Sequence, residues 1–76
     1  MNNVRRKKIN KLYEQLEEIK AALEELQEEE QEALDNIPES LWETDRYTAI
    51  EEANENLEGA VNAFEELLEY LEEAVQ

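Results

Sequence analysis

The chain has no cysteine and no histidine, and only one glycine and one proline among its 76 residues. Each absence excludes a class of chemistry. Without cysteine there is no disulfide frame, thiol nucleophile or thiolate metal site. Without histidine the Ser-His and Cys-His nucleophilic pairs, the HExxH zinc helix and the Glu-x-x-His sites of di-iron bundles cannot be built. A single glycine leaves no phosphate-cradling loop, and Asp35 to Asp45 lacks the glycine and ligand spacing of a calcium loop. No apolar run approaches the ~20 residues that span a bilayer. Behind the basic stretch of "MNNVRRKKIN" there is no apolar segment, so no secretory signal is expected. These absences predict a non-enzyme that needs no cofactor and no metal, working in the cytoplasm and not on a membrane.

What remains is mostly Glu, Leu and Ala, a composition that favours long helices over sheets. The net charge is −15 and unevenly spread. Residues 1–11 carry five cations (Arg5, Arg6, Lys7, Lys8, Lys11) and no acid, whereas residues 12–76 carry all 22 acids against Lys20 and Arg46. Such a surface repels nucleic acid and anionic lipid, so direct nucleic-acid binding is not expected. The partners it suits are basic: another copy through the N-terminal cluster, or a positively charged groove on another protein. Paired carboxylates are abundant, but "EEEQE" (Glu28 to Glu32) reads as a solvated helix face and not as an acid–base or metal site.

Apolar residues recur at steps of three and four from Ile9 through Leu12, Leu16, Ile19, Leu23 and Leu26 to Ala33 and Ile37. The second half repeats the pattern at Ile50, Ala53, Leu57, Ala60, Phe64, Leu67, Leu71 and Ala74. The expected fold is all-α, an antiparallel two-helix hairpin in a single domain, 1–76, with helix one over about 3–36, a turn over 37–43 and helix two over about 44–75. Each helix would be roughly 48 Å long at ~1.5 Å per residue. If the chain reverses near Leu41, Ile9 faces Ala74, Leu16 faces Leu67 and Leu23 faces Ala60. Two positions resist the pattern. Glu30 occupies a seam position opposite Ala53, its carboxylate reaching toward solvent or toward Asn54, and Gly59 falls within helix two, for close helix approach or merely tolerated toward solvent.

The connection, "DNIPESLWETDRY" from Asp35 to Tyr47, holds the only Pro and the only Trp. Pro38 disfavours helix in the residue before it. "SLWE" has a capping-box spacing, and Thr44 is the second N-cap candidate and the one adopted here. Trp42 is read as a lid over the end of the core, with ligand binding as its alternative.

Both helices are apolar beyond these seams. Val61, Leu68 and Val75 flank the seam of helix two on one side, Tyr70 on the other, and Tyr13 lies outside the seam of helix one. A hairpin buries one stripe per helix, and full burial of a Val or Leu is worth ~1.5–3 kcal/mol. The surplus predicts a homodimer forming a four-helix bundle through Tyr13, Val61, Leu68 and Tyr70. The basic N-terminus would pair with Glu69, Glu72 and Glu73 beside it, or with the loop acids of a second chain.

The stretch Glu29 to Leu41, within "EEEQEALDNIPESLWETDRY", resembles a pattern E-E-Q-E-A-x-D-N-x-P-E-S-L of short acidic proteins from phages and prophages of Firmicutes. The likeness extends into helix two, with Trp42 and Thr44 departing from a more polar loop. It implies a phage context, and with it the cytoplasm of the host cell, together with a helical hairpin and nothing catalytic. Three functions are consistent with the residues. The first is an accessory protein that binds and inhibits a host defence or nucleic-acid-binding protein, through Glu14, Glu17, Glu18, Glu24, Glu25, Glu28 and Glu32. The second is a purely structural oligomerisation module. The third is a nucleotide-sequestering protein, with Arg5 and Arg6 of one chain meeting Trp42, Arg46 and Tyr47 of another.

Overall fold

A computed structural model describes all 76 residues. Helix α1 spans Asn3–Asp35, a single 3-10 turn spans Glu39–Leu41, and helix α2 spans Asp45–Ala74. The helices lie antiparallel, because bonds from the start of α1 reach the end of α2 (Arg6 to Val75, Tyr13 to Glu72). The result is a rod of 59 × 15 × 13 Å with a radius of gyration of 17.4 Å. A compact chain of this length would have a radius of about 11 Å. There is no third layer, so each helix keeps most of its circumference in solvent.

The ends of the helices follow from local chemistry. Asn2 caps α1, its side-chain oxygen accepting from the Arg5 amide at 2.9 Å. Asn36 closes α1 ahead of Pro38, which cannot extend it. Thr44 caps α2 as read from the sequence: its hydroxyl accepts from the Tyr47 amide at 3.3 Å and donates to the Leu41 carbonyl at 2.7 Å. At the far end of α2 the Arg6 Nε donates to the Val75 carbonyl at 3.0 Å. A cation on these carbonyls offsets the negative end of the helix dipole, where Glu72 and Glu73 would otherwise be unfavourable.

The helices differ from the expected packing in their roll. The row Ile9, Leu16, Leu23, Ile37 does face the partner helix, as does Ile50, Leu57, Phe64, Leu71; all are half-buried. The second row on each helix is the other flank. On α1 the half-buried companions are Arg6, Tyr13, Lys20, Gln27 and Leu34 in place of Leu12, Ile19, Leu26 and Ala33. On α2 the companions are the half-buried Tyr47 and Val75 and the buried Asn54, Val61 and Leu68. Val61 and Leu68 are each 7 % exposed, the most buried apolar side chains of the molecule. Leu12, Ile19 and Leu26 are left 53 %, 49 % and 52 % exposed.

Two expectations change accordingly. Val61, Leu68 and Tyr13 do not form a free dimer face, because they are consumed in packing one helix of the chain on the other. Of the expected four, Tyr70 alone is open, at 65 %. The physical reason lies in α2: its buried flank carries Val61, Leu68 and Val75, whereas the other carries mainly alanines, so this roll removes more of the apolar area of α2 from water. Gly59 needs no close approach to explain it, since a Cβ there would meet nothing within 4 Å.

Candidate interaction surfaces

The roll gives the rod two unlike long edges. One is polar and clasped. Tyr13 Oη donates to Glu72 Oε1 at 2.7 Å, Lys20 Nζ reaches Glu65 at 3.4 Å and Glu24 at 3.5 Å, and Asn54 Nδ2 donates to Gln31 Oε1. Gln31 in turn donates to Asp35 at 2.9 Å. The three cross-helix pairs share one register: seven residues forward from Tyr13 to Lys20 match seven back from Glu72 to Glu65. Eleven forward to Gln31 match eleven back to Asn54.

Desolvation works against the charged form of Lys20, but the bond and charge of Glu65, then of Glu24, outweigh it and hold the ammonium above its ordinary pKa. The Tyr13 phenol is pushed up to about 12, first by donating to Glu72, then by desolvation and by the charges of Glu72 and Glu17. A raised phenol pKa means that the clasp contributes its full stability below the unfolded value of 10 and loses it as pH rises through about 12. Thermal melts followed by circular dichroism should therefore show an alkaline loss of stability above pH 10 that is smaller in Tyr13→Phe. An identical loss in both proteins would mean that the Tyr13–Glu72 bond is not made.

The outer face of α1 is acidic. Glu14, Glu17, Glu18, Glu24, Glu25, Glu28 and Glu32 are all exposed, within roughly 120° of the helix circumference at ~100° per residue. Of these only Glu24 has a cation, and the two ion pairs of the molecule are both made by Lys20. No group of three or more acids converges as a metal site would require. No helix is long and apolar enough to cross a membrane.

The loop end holds Trp42, Arg46 and Tyr47. The indole Nε1 donates to the Ile37 carbonyl at 3.0 Å, and the Trp42 and Tyr47 rings lie 6.1 Å apart at 31°. Trp42 is 48 % exposed and braces the loop more than it covers the core, its one polar atom already satisfied. A hollow of about 350 Å³ beside it is lined by Ala33, Ile37, Pro38, Leu41, Arg46 and Tyr47, among others. Arg5 and Arg6 lie at the other end of the 59 Å rod, so a single chain does not bring the five expected ligand residues together.

The remaining edge is apolar, and the sequence reading assigned its residues to the hairpin seam. In antiparallel helices the sense of rotation reverses with direction, so the Leu12 row of α1 and the Ala60 row of α2 emerge on the same side, opposite the clasp. The hollow at the loop, where Ala33 meets Arg46, is the end of that side. The signal that could have revealed this roll is the evenly matched polar ladder from Tyr13–Glu72 to Gln31–Asn54. The chain matches no protein-family profile, no curated protein sequence and no solved structure.

Proposed function

We propose that the chain acts by protein–protein binding and performs no chemistry of its own. In this reading hairpins pair into a four-helix bundle and present acidic outer faces to the basic, nucleic-acid-binding groove of a partner protein. In the phage setting that the sequence resemblance implies, the partner is a host defence or nucleic-acid-binding protein and the outcome is inhibition. The observation that carries this reading is the outer face of α1: seven exposed glutamates, six of them without a cation. A chain of net charge −15 that leaves its acids unpaired strongly attracts a cationic groove, and salt weakens that attraction.

The test uses a tagged chain against a basic partner captured from the natural host. Affinity should fall at least ~10-fold between low salt and about 0.5 M. Glu17→Lys, Glu18→Lys, Glu24→Lys and Glu25→Lys together should abolish binding. Affinity that ignores both changes would remove the acidic-groove reading. A purely structural role in oligomerisation is the second reading, favoured by the outward row Leu12, Ile19 and Leu26. It is distinguished by Glu→Gln substitutions on the outer face, which would then leave activity intact.

A further inference from the structure

The helix pairing sends the larger flank of α2 inward and the larger flank of α1 outward. Leu12, Ile19 and Leu26 stand half in water, beside a neighbouring row on α2 of Ala53, Ala60, Leu67 and Ala74. Large side chains on one helix and mostly small ones on the next form a single ridged face along the rod. We propose that this face is the seat of a second copy of the chain, with α1 of each copy lying over α2 of the other. The inference rests on the reading that hairpins pair, and it fixes the face and the orientation.

Three observations favour a copy as the occupant. The first is area. The accessible surface is 6035 Å², whereas a compact monomer of 9.0 kDa exposes about 4,850 Å². The surplus is roughly 1,200 Å² per chain, or ~2,400 Å² for a pair, and a stable interface buries about 1,200–2,000 Å² in total. The second is shape. A two-fold axis along the rod sets Leu12 over Ala74, Ile19 over Leu67 and Leu26 over Ala60, and makes every neighbouring pair of helices antiparallel, as up-down bundles are. The third is stripe width. Helix α2 bears three adjacent, mostly apolar rows over ~100°, the width of a helix with two neighbours, while the hairpin supplies one neighbour. The clasped edge is a poor alternative, because Glu24, Glu65 and Glu72 would meet their own like charges there.

Sedimentation equilibrium at ~100 µM, where a pair of even modest affinity is populated, should give twice the 9.0 kDa chain mass. The pair should persist in about 1 M salt, since apolar burial is not screened, unlike binding to a basic partner. Ile19→Glu with Leu26→Glu should leave the helix content unchanged and yield a monomer. A second test does not depend on that variant folding. Mixing a Leu26→Cys chain with an Ala60→Cys chain under oxidation should give the mixed disulfide. A wild-type monomer at this concentration would overturn self-association altogether, while leaving partner binding by the acidic face to be judged separately. A dimer that survives the double glutamate variant would overturn this face alone. Leu26→Cys chains that link to each other in preference to Ala60→Cys chains would overturn the orientation.

Discussion

Leu68→Ala should destabilise the hairpin by about 2–4 kcal/mol, the usual cost of truncating a buried leucine. That is a large share of the ~5–15 kcal/mol that keeps a domain folded. The effect is concentrated because Val61 and Leu68 are the only apolar side chains with less than a tenth of their surface exposed. A urea titration followed by circular dichroism should show the midpoint falling steeply, with much of the helix lost near room temperature. Leu67→Ala, one residue away but 41 % exposed, should cost well under half as much in the isolated hairpin. If the two substitutions cost the same at concentrations where the chain is monomeric, the roll described above is wrong.

Asn54→Leu should do the opposite. Asn54 is 9 % exposed, and its Oδ1 has no hydrogen-bond partner. A buried acceptor without a partner costs about 1–3 kcal/mol, and its Nδ2 bond to Gln31 returns only part of that. Leucine removes the stranded oxygen and adds apolar area, and the exposed Gln31 can turn to water. A gain of ~1–2 kcal/mol in denaturant unfolding is the expected result. A loss would mean that the Asn54 oxygen has a partner and that the polar ladder is worth more than the packing that replaces it.

The sequence yields much of this molecule and misses one thing. The hairpin follows from two matched runs of apolar steps, and the turn follows from Pro38 and Thr44. The cross-helix contacts at Arg6, Tyr13, Lys20 and Gln31 bracket the expected register. The roll was not legible from apolar spacing, because steps of three and four fit either flank of the shared row Ile9, Leu16, Leu23. Leu12 and Tyr13 are adjacent in sequence, one on each flank, and periodicity gives no weight to one over the other. Hydrophobicity pointed to Leu12, Ile19 and Leu26 as the inward row of α1. What decides the matter is pairwise: α2 gains more by burying Val61 and Leu68, and α1 complies by offering Tyr13, Lys20 and Gln27. The acidic face was legible outright, since nothing on the opposite helix competes for those glutamates. The expected ligand cluster spans two chains, and within one chain its members fall at opposite ends of the rod.

The clasped edge has a mechanical consequence. The shared rows of both helices stay in contact whether each cylinder turns one way or the other, so a rotation of roughly 50° would hide the Leu12 row and expose the Val61 row with little change in outline. Tyr13–Glu72, Lys20–Glu65 and Gln31–Asn54 lie to one side of the line of contact and are broken by that rotation. They act as pins against axial spinning: weak individually, they help hold the greasy ridge that burial of Val61 and Leu68 leaves facing outward.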